Sequence, residues 1–343
     1  SYGTRLCLVV KANAYGHGAV ATARAAIVAG VDLLAVSSVE EGRELREAGV
    51  ASEVLLFGPT VPDQGVEVVR WRLTAICADF ATVRAISSAN HHTAPLPVHL
   101  EVDTGMRRSG CNPADAIRIA RSIGRIDGIR LEGFCTHFSS ADAEDLAPAR
   151  QQLGILLTGA QELRRSYPDL ILHAANSAGV AALPAAHLDL VRVGLSAYGY
   201  DPSFAGRFQG RLRPVMELSA PVTALHRVQA GNYVSYGLEY RVSTDTVIAT
   251  IAAGYGDGYP WPGGRGDKVP EVLIRGDRYR LSGLVCMDHC MVDVGNEPKV
   301  QVGDEATLFG PRSPTAAEVA DWAETIPYEV LTRISSRVQR SYC

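Results

Sequence analysis

The chain has 343 residues, a net charge of −4 and 47% hydrophobic residues, enough apolar content for a sizeable core in about two domains. This charge balance offers no basic field for nucleic acid, and no apolar stretch reaches the roughly 18 residues that a membrane span needs. Seven cysteines without a CxxC pair read as free thiols, and with no basic segment and apolar signal core at the start the expected location is the cytoplasm. Cys286 and Cys290 flank Met287-Asp288-His289, but no second ligand pair supports zinc, so no metal is expected.

Through the first part of the chain, short apolar or β-branched runs alternate with stretches rich in Ala, Leu, Arg and Glu, the βα pattern of a parallel sheet. The runs are Leu6 to Lys11, Leu33 to Ser38, Val54 to Gly58, Leu73 to Cys77, Val98 to Asp103, Leu131 to His137, Ile171 to Asn176 and Leu190 to Leu195. Helices are predicted between them at Ala19 to Ala29, Val39 to Ala48, Pro113 to Ile123 and Glu144 to Arg165. Eight βα units in about two hundred residues fit a closed (β/α)8 TIM-like barrel better than an open sheet. After Pro214 the pattern changes to strands separated by turn signals: Pro221 to Val228, Tyr233 to Tyr236, Val247 to Ala253, Glu271 to Ile274 and Val285 to Val294, with turns at Ala230-Gly231-Asn232 and Gly276-Asp277. One helix, Thr315 to Thr325, is expected near the end. The domains are therefore drawn as residues 1–213, the barrel, and 214–343, a mostly-β C-terminal domain. The start without Met, directly in the first strand, reads as a trimmed chain.

Only three lysines occur, Lys11, Lys268 and Lys299, against 30 arginines, and Lys11 closes the first apolar run. A lysine can lose its proton and attack a carbonyl, whereas a guanidinium stays charged, so a lysine kept at a strand end is a Schiff-base candidate. In barrels of this kind the active site lies at the carboxyl ends of the strands. Those ends carry Lys11, Arg108 just beyond Asp103, His137, Asn176-Ser177, and Arg192 with Gly194. An amine, two arginines, a histidine and small phosphate-compatible residues suit a phosphorylated aldehyde cofactor. Taken singly, His137 reads equally as a satisfied core histidine and Asn176-Ser177 as a helix cap.

The segment Val9-Val10-Lys11-Ala12-Asn13-Ala14-Tyr15-Gly16-His17-Gly18 resembles the pyridoxal-phosphate lysine signature of the alanine racemases. Asp103-Thr104-Gly105-Met106, Thr136-His137-Phe138, Ala175-Asn176-Ser177, Arg192-Val193-Gly194, Gly254-Tyr255, Cys286-Met287-Asp288 and Tyr328-Glu329-Val330 each resemble a further block of that family, in order. The resemblance implies a pyridoxal 5'-phosphate enzyme that racemises L-alanine and D-alanine with two bases. Lys11 would carry the cofactor and act as one base, and Tyr255, supplied by the partner subunit of a homodimer, would be the other. His137 and Arg192 would link to that phenol, whose ordinary pKa near 10 needs cationic neighbours to favour the phenolate. Arg192 would also face the pyridine nitrogen and leave it unprotonated, a weaker electron sink suited to a short-lived carbanion. Tyr15, Asn176, Ser177, Gly194, Leu195 and Tyr328 would complete the cofactor site, largely through hydroxyls and backbone amides at the phosphate. Arg108 and the Met287 backbone would hold the substrate carboxylate, with Glu101 and Asp288 in support.

Two positions depart from the family pattern. The usual Gly-Met-Gly-Arg reads Gly105-Met106-Arg107-Arg108, so either guanidinium could bind the carboxylate, and register favours Arg108. Where many members carry a carbamylated lysine, this chain has Glu101, expected to form a charge-assisted pair with Arg108. Alternatives within the same chemistry are a racemase acting on serine or basic amino acids, and a related decarboxylase, which would place a carboxylate where Arg192 stands. A non-catalytic pyridoxal-phosphate carrier is a reading of another class, weakened by the β domain and Tyr255.

Overall fold

The computed structural model describes residues 3–58, 60–203, 206–208, 210–261, 268–312 and 314–343. Eight parallel strands come first: β1 (Arg5–Val9), β2 (Leu33–Val36), β3 (Val54–Leu56), β4 (Thr74–Cys77), β5 (Leu96–Glu101), β6 (Ile129–Cys135), β7 (Ile171–His173) and β8 (Leu190–Val193). Each pairs with the next and β8 returns to β1, through Arg5 opposite Leu190, so the sheet closes as the sequence pattern predicts. Every residue of β2, β3 and β4 is buried, as strands covered on both faces must be. Helices over Ala19–Val28, Val39–Glu47, Pro113–Ile123 and Ala147–Leu163 occupy the expected intervals. Among the described residues, no helix is long and apolar enough to cross a membrane.

The strands end earlier than their apolar runs suggest. β1 stops at Val9, so Lys11 is not its last residue but the first of a turn running to Tyr15. That turn is left-handed: Ala12, Asn13, Ala14 and Tyr15 have φ of 50°, 54°, 54° and 52°. Such a conformation costs an L-residue about 1–2 kcal/mol, so its neighbours must hold it in place. Ala14 N–H donates to Val10 O at 2.8 Å, Gly18 N–H to Asn13 O at 2.9 Å, and Ala19 N–H to the Asn13 side chain at 2.8 Å.

The second part contains β9 (Leu218–Val228), β10 (Tyr233–Val234), β11 (Tyr240–Arg241), β12 (Thr246–Ile251), β13 (Glu271–Ile274), β14 (Asp277–Arg280), β15 (Cys290–Asp293) and β16 (Glu305–Phe309). Six of them form one sheet in the order β14-β13-β16-β9-β12-β15, and β10 pairs with β11. Arg275 and Gly276, both left-handed, make the two-residue turn between β13 and β14, one residue before the expected Gly276-Asp277. β9 begins at Leu218 rather than Pro221. Its register with β16 and β12 is irregular, and Pro221, which has no N–H to give, accepts from Ala252 N–H at 3.0 Å. The run Val285 to Val294 is a strand only over Cys290–Asp293, because the carbonyls of Cys286 and Met287 are taken by Tyr255 and Gly256 N–H instead of by a ladder.

The chain divides into two compact units, one of residues Ser1–Ala14, Gly18–Ala197 and Asp201–Leu212, the other of Tyr15–His17, Tyr198–Tyr200 and Arg213–Cys343. The division at Arg213 lies one residue before the drawn boundary, but two short pieces from the barrel half of the sequence belong to the second unit. Packing inside that unit accounts for them. Tyr15 lies 4.9 Å from Tyr198 and 6.0 Å from Tyr328 between ring centroids, and Arg340 Nε donates to Gly16 O at 3.1 Å. A Cβ on Gly16 would stand 2.1 Å from Leu331 O, an approach only glycine allows.

Inside the barrel, β5 and β6 place His99 opposite Gly133. A Cβ at Gly133 would meet the His99 ring at 2.4 Å, with His99 only 1% exposed and unable to withdraw into solvent. Gly133→Ala is therefore expected to lower the unfolding free energy by about 1–3 kcal/mol in urea titrations, the usual cost of overpacking. An unchanged midpoint would mean that the imidazole is not fixed in that position.

Candidate active site

The barrel unit gathers Lys11, Glu101, Arg108, His137, Asn176, Ser177, Arg192, Gly194 and Leu195 on or just beyond the carboxyl ends of its strands. Lys11 is partly buried, and its amine is held below the ordinary lysine pKa first by desolvation and then by the positive charge of Arg108, with Glu41 acting in the opposite sense. Glu41 does not stand out in the sequence. Its oxygens accept from Ala12 N–H and Ser37 N–H, both at 2.7 Å, and so tie the strained turn after Lys11 to the end of β2. The available signal is the Ser38-x-x-Glu41 spacing, which reads as a helix cap; Ser38 does cap, but the carboxylate reaches out of the helix instead.

Arg192, on β8, is 4% exposed and is the centre of the polar core. Its Nη2 donates to Thr136 O at 2.9 Å, to Ala174 O at 3.1 Å and toward His137 Nδ1 at 3.3 Å, while Nη1 reaches His173 Nδ1 at 2.7 Å. The guanidinium carbon also lies 5.5 Å from the Phe57 ring centroid. Its Nε–H takes no acceptor among the described residues, which leaves a directed donor available to a ligand. Since a guanidinium only donates, His137 Nδ1 must accept and His137 carries its proton on Nε2. Burial first, then the charges of Arg192, Arg108 and Lys11, keep His137 well below the usual histidine pKa, and it is neutral at pH 7. The end of β6 is braced further: Thr136 Oγ1 donates to Val102 O at 2.8 Å, and Gln152 Nε2 donates to His137 O at 3.0 Å.

Ser177 and Asn176 divide the two roles open to them. The Asn176 side chain accepts from Gly179 N–H at 2.9 Å and caps the helix Ser177–Ala182. Ser177 Oγ instead accepts from Gly194 N–H at 2.9 Å and Ser196 N–H at 3.4 Å, so two amides after β8 converge on one hydroxyl. Converging amides of this kind form an anion cradle.

The expected Glu101–Arg108 pair is not formed. Ser109 Oγ donates to Glu101 Oε2 at 2.8 Å, and no ion pair joins Glu101 to Arg108 among the described residues. Arg107 turns outward onto Asp103, with Nη1 at 3.3 Å from Oδ2 and the side chain 77% exposed. Arg108 is the arginine whose charge reaches both Lys11 and His137.

The second unit carries Tyr15, Tyr255, Met287, Asp288 and Tyr328. Tyr255 opens a single helical turn, Tyr255–Asp257, and is 44% exposed. It is fixed against the loop before β15: Tyr255 N–H donates to Cys286 O at 3.1 Å and Gly256 N–H to Met287 O at 2.8 Å. A Cβ on Gly254 would lie 2.2 Å from Cys286 O, so the approach needs glycine there. Arg337 bridges Asp257 at 2.7 Å and Asp288 at 2.8 Å, which clamps the two loops together and gives Asp288 its partner. The Met287 N–H has no acceptor among the described residues. Tyr15 and Tyr328 belong to the aromatic group with Tyr198, where burial raises the Tyr15 phenol above its ordinary pKa.

His173 is fully buried, and like His137 it is held well below its ordinary pKa, by burial first and then by Arg192 and His99. In the unfolded chain both titrate near 6.5, so below that pH the unfolded state binds protons that the native state refuses, and stability is lost as pH falls. Each histidine contributes about 1.4 kcal/mol of loss per pH unit below about 6.5. Urea unfolding at pH 7.5 and 5.5 should show this drop, and His137→Gln should reduce it by about 1.4 kcal/mol. An equal drop in the variant would contradict a neutral native His137.

Comparison with known proteins follows the same division of the chain. Residues 1–202 match the family model for the alanine racemase N-terminal domain, and residues 215–342 that for the alanine racemase C-terminal domain. The alanine racemase of Treponema pallidum is 39% identical over 352 residues, covering 98% of this chain and 93% of its own, and that of Symbiobacterium thermophilum is 40% identical over 347 residues, covering 100% and 91%. Among solved structures, the alanine racemase of Clostridium difficile 630 superimposes with a TM-score of 0.92 at 34% identity, covering 99% of this chain and 89% of that one. The enzyme from D-cycloserine-producing Streptomyces lavendulae gives 0.90 at 35% identity, covering 99% and 91%. With both family models matched in order and this identity sustained along nearly its whole length, the chain belongs to the alanine racemase family and is a racemase, one of the isomerases.

Proposed function

We propose that the chain interconverts L-alanine and D-alanine with pyridoxal 5'-phosphate, as a homodimer in which each barrel works with Tyr255 of a second copy. The observation that carries this reading is the barrel mouth itself. A lysine of depressed basicity, set in a strained left-handed turn, shares it with a buried arginine that keeps one N–H unused and with amides converging on a hydroxyl. This donor set fits a phosphorylated pyridine aldehyde: a cradle for the phosphate, an amine for the aldehyde and a donor for the ring nitrogen. Ser177, Gly194 and Leu195, with the hydroxyls of Tyr15 and Tyr328, would hold the phosphate. Arg192 Nε–H would meet the ring nitrogen. Bound pyridoxal phosphate would supply an electron sink that acidifies the α-proton of the attached amino acid.

The protein groups divide the remaining work. Arg108 and the free Met287 N–H would fix the substrate carboxylate, which holds the α-carbon between two bases. Lys11 takes or returns the proton on one face; desolvation and the charge of Arg108 lower its pKa and so favour the neutral amine that a base requires. Tyr255 serves the other face, and the His137 Nε2–H, directed by Arg192 at Nδ1, is the donor suited to stabilising its phenolate. Glu101 supports the loop through Ser109 rather than Arg108 directly. Asp288 holds the loop of Met287 to that of Tyr255 through Arg337.

Incubation with pyridoxal phosphate and L-alanine in heavy water, with L-serine and L-arginine in parallel, should give deuterated D-alanine fastest. Faster inversion of serine or arginine would move the substrate assignment, and no exchange at all would sink the enzymatic reading. Tyr255→Phe should lower racemisation by about 100-fold or more, the scale of losing a general base, while one enantiomer still exchanges its α-proton without inverting. Unchanged racemisation would rule out the two-base assignment. Lys11→Ala should abolish racemisation and leave α-proton exchange at most to the enantiomer that Tyr255 serves; exchange of both enantiomers would remove Lys11 from the role of base.

A further inference from the structure

Below Arg192 the barrel core contains a line of polar groups that the reaction above does not use. Arg192 Nη1 lies 2.7 Å from His173 Nδ1, His173 Nε2 lies 2.8 Å from His99 Nδ1, and His99 Nε2 faces Glu132 Oε2 at 3.6 Å. His173 and His99 are 0% and 1% exposed, and Arg130 anchors the other Glu132 oxygen at 2.5 Å. At that distance the two atoms face each other without completing a hydrogen bond, and neither has a hydrogen-bond partner among the described residues.

The protons of this line can be placed in one arrangement. A guanidinium has no lone pair to offer, so His173 Nδ1 must accept and the His173 proton must sit on Nε2. That N–H points at His99 Nδ1, which must then accept, and the His99 proton is forced onto Nε2, toward Glu132. A doubly protonated His99 would set two N–H groups against each other at 2.8 Å. At the far end a carboxylate is an acceptor only, so the same direction is imposed from both ends. Burial acts to raise the Glu132 carboxyl pKa, but the facing His99 ring and the Arg130 guanidinium outweigh it and bring the group to about 2.

We propose that His99 and Glu132 are positioning residues for Arg192: a one-way column of hydrogen bonds runs from Arg192 through His173 to His99, and the Glu132 carboxylate faces its last N–H, an arrangement that fixes the orientation of the guanidinium that meets the cofactor ring. The value of the column to catalysis rests on the role given above to Arg192; its proton arrangement does not. A competing reading is a cation site, because Glu53, His99 and Glu132 offer ligand atoms within 4.8 Å of one another. Metal would need a lone pair on His99 Nε2, which the donor at Arg192 denies through His173, and Arg5 and Arg130 already hold the two carboxylates at 3.3 and 2.5 Å.

The test is long-range 1H–15N correlation on the cofactor-loaded, 15N-histidine-labelled protein at pH 7.5, with His99 and His173 signals assigned through His99→Gln and His173→Gln. Both rings are expected neutral with the proton on Nε2. A proton on Nδ1 of either ring, a charged ring, or loss of the His99 Nε2–H on adding Zn2+ would overturn the column, the last in favour of a cation site. The functional arm compares Glu132→Gln, which keeps an acceptor oxygen, with Glu132→Leu, which does not. The glutamine variant should retain kcat within about twofold; the leucine variant should lose about tenfold in kcat at nearly constant KM, the scale seen when outer partners of a site are removed, together with displaced His99 and His173 signals. A folded Glu132→Leu protein with wild-type kcat would show that the tail does not position Arg192. Should Glu132→Leu not fold, the labelled wild-type protein and Glu132→Gln decide the matter. If no variant, nor the wild type, racemises alanine, the functional reading fails while the tautomer measurement still stands or falls alone.

Discussion

A guanidinium buried in the interior of a barrel is the constraint around which this site is arranged. Arg192 cannot relieve its burial by losing a proton, and an uncompensated charge there would cost several kcal/mol. No carboxylate touches it among the described residues. The nearby thiols of Cys7 and Cys135 are pushed up by burial, Cys7 to about 12, and stay neutral. The charge is met instead by carbonyls at the ends of β6 and β7 and by two histidines forced to be acceptors. Those histidines are consequently neutral: the His173 Nε2–H is directed to His99, and His137 keeps its proton on Nε2. One buried charge thus sets the protonation state of its surroundings.

A second constraint is backbone strain at Lys11. Four consecutive left-handed residues without glycine are an unfavourable way to leave a strand, and the strain is offset by the hydrogen bonds of Glu41 and Asn13. It sits where a side chain must be placed rather than where packing alone would put it. The same turn delivers Tyr15 and Gly16 to the second unit, where Leu331 and Arg340 receive them.

Much of this is legible in the sequence, and what is not has physical reasons. The eight barrel strands are visible because strands buried on both faces read as continuous apolar runs, yet the runs continue past the last ladder bond, which is why Lys11 reads as a strand end. β16 is missed although Gly303-Asp304 and Gly310-Pro311 bracket Glu305–Phe309 as turn signals do. Lys11, His137 and Ser177 stand out by their places beyond strand ends, and Arg192 by its place near the end of β8. Glu41 is hidden inside a helix-cap pattern, and His99 and His173 inside apolar strands, where a lone histidine carries no spacing signal. Asn176 shows the opposite: the capping reading is the one its side chain adopts. The Glu101–Arg108 pair is expected because the resemblance places Glu101 where many members carry a carbamylated lysine, but Ser109, the next residue along the loop, supplies the donor instead.

In the proposed function Arg192 would face the cofactor as a donor fixed in place and leave the pyridine nitrogen without a proton. Binding pyridoxal phosphate labelled with 15N in the ring and recording its nitrogen shift at neutral pH tests this directly. An unprotonated pyridine nitrogen is the predicted result; a pyridinium shift would mean that another group meets the ring and would contradict the assignment of Arg192.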